Sequence, residues 1–167
     1  MRVCALDEAG IPACMALRQR ALQEHPLAFG SDPEHDRLRD PQALLNTLTD
    51  PHHTVFVAWL DGVMVGMLGV RRMDRVKTMH RAGVWGVYVT PEARGQGAGE
   101  ALIAAAITEA EGWAGVVQLE LSVSVEAEAA RRLYERAGFV AWGCEPRALC
   151  WQGRTADELH MTLPLDR

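Results

Sequence analysis

What this sequence lacks narrows its function first. No apolar run approaches the roughly 20 residues needed to cross a bilayer, and the opening "MRVCALDEAG" has no hydrophobic stretch of the secretory kind. A cytoplasmic protein with no membrane partner is the expectation. An excess of basic charge is missing too: 17 Lys and Arg stand against 22 Asp and Glu, a net charge of −5 without a long basic run. Binding to nucleic acid is not expected of such a chain. Cys4, Cys14, Cys144 and Cys150 form no CxxC pair, so they read as reduced thiols rather than a disulfide framework or a zinc site. The six histidines are scattered, and the only adjacent two, His52 and His53, follow Pro51 in what reads as a turn. No metal is expected. Internal repeats, low-complexity segments and interdomain linkers are absent as well.

What is present is an ordinary α/β pattern. With 167 residues, 49% apolar and 23% charged, the chain fits one domain, residues 1–167, with a substantial core. Arg2–Leu6 reads as a short strand, and Asp7 can cap a helix with Ile11, Met15, Leu17 and Leu22 on its apolar side. Pro26, Gly30 and Pro33 then break regular structure before a short helix that opens at Pro41. Asp61-Gly62 joins two β-rich runs and is the strongest hairpin signal in the chain. After a charged loop near Arg72–Thr78 comes a strand ending "VWGVYV", then a long helix with Ala98, Leu102, Ala106, Ile107 and Ala110 on one stripe. "VVQLELSV" is a strand, "EAEAARRLYERAG" a helix stopped by Gly138, and two last strands flank Gln152-Gly153. The strand–helix–strand crossovers in the middle imply parallel pairing there.

Between the "VWGVYV" strand and the long helix sits "RGQGAG", with glycine at 95, 97 and 99. Glycine inside an element costs about 0.5–1 kcal/mol relative to alanine. One gain that offsets this is close approach of backbone amides and a helix N-terminus to an anion. A Walker loop needs Lys-Ser/Thr after its last glycine, where Glu100 and Ala101 stand; a GxGxxG fingerprint from Gly95 needs glycine at Glu100. Both fail on the residues that carry their chemistry.

"RGQGAG" does resemble the R/Q-x-x-G-x-G/A motif of the GCN5-related N-acetyltransferases. The likeness extends to the element order, to the preceding "VYVTP", to "RRLYERAGF" and to the closing "DELHM". It implies an α/β fold with a mixed, mostly antiparallel sheet, a central splayed parallel strand pair and about four helices. It also implies an enzyme that moves the acetyl group of acetyl-CoA to a primary amine by direct attack in a ternary complex. A small-molecule amine is favoured over a protein N-terminus or lysine, and the molecule is expected to be a monomer or a homodimer. The alternative is a non-catalytic acyl-CoA-binding or regulatory module on the same fold.

By the resemblance, Arg94, Gly95, Gln96, Gly97, Ala98 and Gly99 hold the pyrophosphate through main-chain amides. Val87 offers its N–H to the thioester oxygen, while Tyr88 and Val89 lie along the pantetheine arm. Gly86 is where a bulge is expected; close packing of a buried strand is the other reason for glycine there. Tyr134 matches the tyrosine that protonates the departing thiolate, and its ordinary pKa of about 10 suits that task. A core tyrosine beside Leu133, Ala130 and Ala137 is the plainer reading. Arg136, on the same helix, joins the cofactor residues.

This sequence also departs from the family. The positions where relatives carry a basic glutamate fall near Gly83 and at Ser122, neither a carboxylate. Glu120, on the same strand face as Ser122, is then the first candidate base and His160, which shares a face with Glu158, the second. An amine that arrives already neutral needs neither. Ala127 stands where the family has an asparagine that bonds the pantetheine arm. For the acceptor, the segment from Pro26 to Arg39, Trp85 and the turn around Trp151 are the candidates, with Glu34 able to meet a cationic amine.

Overall fold

Asp61 and Gly62 both take positive φ, 49° and 82°, the hand that lets a two-residue turn follow the twist of its strands. They join β2 (His53–Leu60) to β3 (Val63–Arg72). The structure, a computed structural model, describes residues 1–165. The remaining strands are β1 (Arg2–Ala5), β4 (Arg81–Val89), β5 (Gln118–Ser124), β6 (Val140–Trp151) and β7 (Arg154–Pro164). They form one seven-stranded sheet in the order β1-β2-β3-β4-β5-β7-β6. Every pairing is antiparallel except β4 with β5. This is the mixed α/β sheet that the sequence implies.

Four helices cover it: α1 (Ile11–Glu24), α2 (Pro41–Thr49), α3 (Ala98–Gly112) and α4 (Glu128–Arg136). Asp7 caps a 3-10 turn, Glu8–Gly10, that leads into α1, accepting from the Gly10 N–H. Asp40 caps α2, which has proline in its first turn. One core lies between the sheet and α3 with α4, where Leu68, Leu102, Ile103, Leu119 and Met161 are fully buried. A second lies beneath α1 and α2, with Cys14, Leu44, Val55 and Met67 at its centre. On that second face α1 and α2 cover the β1–β4 half of the sheet. Glu120 and Ser122 of β5 and His160 of β7 stay half-buried or exposed. Among the described residues no helix is long and apolar enough to cross a membrane.

One close approach shapes the second face. Trp85 lays its indole across Gly69 of the neighbouring strand, where an added Cβ would stand 2.0 Å from Trp85 Cε2. Alanine in place of a strand glycine ordinarily gains about 0.4–1 kcal/mol through the unfolded chain. Here overpacking of about 1–3 kcal/mol opposes that gain and outweighs it. Gly69→Ala is therefore expected to lower the urea midpoint and to shift Trp85 fluorescence. A variant as stable as the parent would mean that the indole has room elsewhere.

Candidate functional site

The site begins where two strands part. β4 remains paired with β3 as far as Val89, opposite Gly66. With β5 it pairs only at Arg81, Ala82 and Gly83, opposite Gln118, Leu119 and Glu120. From Val84 onward the side of β4 that faces β5 has no strand partner among the described residues. Backbone N–H and C=O groups left this way must find water or a ligand, and the amides of a pantetheine arm are such a ligand. Gly86, at φ 64°, sits in a register shift that gives β4 one extra residue between Trp85 and Tyr88. The expected bulge is there. It puts Trp85 and Tyr88 on the α1 side while Val87 and Val89 pack on the α3 side.

β4 leads through a 3-10 turn, Pro91–Ala93, into the glycine turn. Gly95 and Gly97 have φ of 73° and 82°, which L side chains rarely adopt. A Cβ at Gly95 would meet nothing within 4 Å, and one at Gly97 only Met1 Cε at 3.9 Å. The space above both is open. Gly97 is the N-cap of α3 and brings no side chain to its first amides, so a fifteen-residue helix offers its positive end uncapped. Uncapped donors, open space and left-handed backbone together fit a pyrophosphate. Gly99 has another reason to be glycine: a Cβ there would stand 2.9 Å from Leu133 Cδ2, so it allows α4 to pack against α3.

Arg94 lies back along the end of β4. Its Nε donates to the Val89 carbonyl at 3.1 Å, and Nη2 lies 3.2 Å from His25 Nε2. Gln96 Nε2 donates to the Glu92 carbonyl, and Ala98 is the first residue of α3. On α4, Tyr134 is 5% exposed, edge-on to Phe139 at 6.1 Å between ring centres. Burial raises its hydroxyl above the ordinary range. Arg136 pairs with Glu100 at 2.7 Å, joining α4 to the first turn of α3. Ala127 is the N-cap of α4 and supplies no side-chain bond.

The acetyltransferase (GNAT) family model matches residues 15–139, which takes in the fork, the glycine turn and Tyr134. The chain belongs to this family. Acetyl-CoA is the family's cosubstrate and acyl transfer its reaction. The chain is 31% identical over 150 residues to mycothiol acetyltransferase from Paenarthrobacter aurescens, an alignment with 83% of this chain and 46% of that protein. It thus spans about half the length of that relative. To the L-amino acid N-acetyltransferase AaaT of Escherichia coli it is 26% identical, over 72% of this chain and 83% of that protein. Among solved structures, ribosomal-protein-alanine N-acetyltransferase from Brucella melitensis superposes with a TM-score of 0.86 at 26% identity, covering 99% of this chain and 100% of that one.

On the α1 side, this GNAT chain presents the residues that could meet an acceptor. Glu120 is held by Arg81, Oε2 to Nη1 at 2.8 Å, across the point where the strands part. Beyond it, Ser122 and His160 are directly opposite in the β5–β7 register, and Ser122 Oγ lies 2.9 Å from His160 Nδ1. His160 Nε2 lies 2.9 Å from Glu145 Oε2. The ring of Trp142 is tilted against His160 at 5.4 Å. Burial pushes the Glu158 carboxyl up, with Glu145 adding to the rise and His160 opposing it. A pocket lined by Arg71, Met73, Asp74, Gly83 and Trp85 opens beside the fork. Trp85 packs edge-on against His53 at 5.6 Å. Glu34 stands exposed, and its backbone rather than its carboxylate makes the bonds, to Asp32 and Arg39.

Sequence reasoning missed three partnerships here: Ser122–His160–Glu145, Tyr88–Glu24 and Arg18–Asp36. Tyr88 donates to Glu24 Oε2 at 2.6 Å; burial, helped by this bond, pushes the phenol up to about 12. Arg18 is buried on α1 and bonded to Asp36. Its signal was a charged residue at helical spacing among Cys14, Ala21 and Leu22, all of them buried.

Gly97→Val tests the glycine turn. Valine is strained at φ 82° and fills the open space above the α3 amides. Loss of acetyl-CoA binding by calorimetry, with the fold intact by circular dichroism, is the expected result. Affinity equal to the parent's would remove the turn from the cofactor site.

Proposed function

We propose that this protein transfers the acetyl group of acetyl-CoA to a primary amine by direct attack, with both substrates bound together. The observation that carries this reading is the fork between β4 and β5, bulged at Gly86 and continuous with an uncapped α3. In it, the main-chain amides from Arg94 to Gly99 hold the pyrophosphate. Val89 pairs with the pantetheine amides, and Val87 N–H donates to the thioester oxygen. A small-molecule amine is the favoured acceptor. Two relatives are named for mycothiol and L-amino acids. A ribosomal-protein alanine, named for the Brucella enzyme, is the competing acceptor class.

The chain's residues divide the proton work. As the amine nitrogen bonds to the acetyl carbon and the carbon–sulfur bond breaks, Tyr134 gives its hydroxyl proton to the departing sulfur and regains one from solvent. Burial keeps that hydroxyl protonated beforehand; the same apolar surroundings raise the basicity of a thiolate formed beside it. The proton shed by the amine passes by way of the Ser122 hydroxyl to His160, with Glu145 holding the far side of the imidazole. His160 takes precedence over Glu120 because Arg81 already occupies that carboxylate.

Two sets of variants test these roles. Tyr134→Phe keeps the ring and its contact with Phe139 but removes the proton donor. A fall in kcat of about 10²–10⁴-fold is expected, with acetyl-CoA affinity and melting temperature nearly unchanged. A kcat within a few-fold of the parent would remove Tyr134 as the acid.

For the base, His160→Ala is expected to lower kcat by about 10²-fold, while Glu120→Gln leaves it within a few-fold. The reverse pattern would assign the base to Glu120.

A further inference from the structure

Arg18 stands in the buried stripe of α1, between Leu17 and Ala21. Its side chain is 7% exposed and that of Asp36 3%. Nε donates to Asp36 Oδ2 at 3.2 Å and Nη2 to Oδ1 at 3.3 Å. The ring of Phe29 lies under the guanidinium, 5.1 Å from Cζ to its centroid. These contacts fix the group in place and leave Nη1 buried without a hydrogen-bond partner among the described residues. Buried donors are rarely left unpaired, and one that is calls for a ligand or a water. Nη1 faces Gly86. A Cβ at that bulge would stand 3.6 Å from Nη1 and 3.8 Å from Met67 Cε, with no other neighbour within 4 Å. The missing side chain thus leaves a small space with one buried donor on its wall.

We propose that Arg18 Nη1 donates to the thioester carbonyl oxygen of bound acetyl-CoA, as a second donor beside Val87 N–H. This rests on the placement of the thioester at the fork given above. Asp36 already balances the charge of the guanidinium, so the pair has little to offer a carboxylate, which would bring a net negative charge into a buried space. A neutral carbonyl oxygen enters without that penalty. As the carbon–nitrogen bond forms, the carbonyl electron pair moves onto the oxygen, and Arg18 with Val87 meets the charge developing there. When the carbon–sulfur bond breaks, the carbonyl is restored as an amide and the sulfur leaves with the Tyr134 proton. Donors held in position before the reaction need no reorganisation during it.

The test reads the carbonyl directly and needs no acceptor. Acetyl-CoA is compared with S-ethyl-CoA, a thioether without the oxygen, by calorimetry, and [1-¹³C]acetyl-CoA is followed by NMR. Arg18→Lys keeps a cation for Asp36 but loses the guanidinium fork and with it the Nη1 donor. Arg18→Met with Asp36→Asn removes both charges, so that neither is left buried alone. Thermal melting identifies the variants that fold. The parent is expected to prefer acetyl-CoA over S-ethyl-CoA and to move the carbonyl resonance downfield. In the variants S-ethyl-CoA affinity should persist, the preference should shrink roughly tenfold, and the downfield shift should diminish. Variants that keep the parent's preference and shift overturn the role of Arg18 alone. A parent that binds acetyl-CoA without shifting the resonance overturns the placement of the thioester itself.

Discussion

The separation of β4 from β5 after Gly83 is the constraint on which the rest of the site depends. A sheet tolerates such a gap only if each strand is secured from its other side. β4 has β3 as far as Val89, and β5 has β7 from Gln118 to Ser124. Each arm of the fork therefore belongs to its own half-sheet, and the two halves meet over three residue pairs. Arg81 and Glu120 close the narrow end. The unpaired edge of β4 would be a liability on an outer strand, where any chain could pair with it. In the middle of a sheet, the opposing arm limits what can enter.

The bulge at Gly86 converts this gap into an asymmetric one. By adding a residue it turns two neighbouring side chains, Trp85 and Tyr88, toward the same helix. Tyr88 then reaches Glu24 near the end of α1. Arg20 joins Glu24 to Glu92, and His25 meets Arg94. The exposed ion pairs of Arg20 contribute little to stability, and the Arg94–His25 contact is a hydrogen bond between two basic side chains. Their effect is on position: the end of α1, the end of β4 and the entry to the glycine turn are held as one corner.

Much of this fold was legible because its signals are local. Asp61-Gly62 demanded positive φ within two residues, and Gly86, Gly95 and Gly97 each marked a backbone that side-chain-bearing residues avoid. The site residues that depend on register were not legible in the same way. Ser122 and His160 meet only because β7 runs back beside β5, and Glu145 joins them across a second strand that carries two register shifts. Glu120 read as the first candidate base, and its pairing with Arg81 was hidden because Arg81, far away in sequence, lies beside it only through the short parallel pairing. Gly99 read as part of the phosphate cradle because its spacing matches; its packing against Leu133 comes from the meeting of two helices. Local rules reveal backbone requirements, whereas partners across a sheet are set by topology.

That meeting of Gly99 and Leu133 ties together two jobs that sit on different helices. The amides proposed to grip the phosphates begin α3, and Tyr134 is the residue next to Leu133 on α4. Glu100 and Arg136 pair nearby, so the two helix segments touch at a second point. The coupling also restricts how such a chain can drift. A side chain gained at 99 makes the Leu133 methyl turn aside, so a change at the start of α3 is felt beside Tyr134.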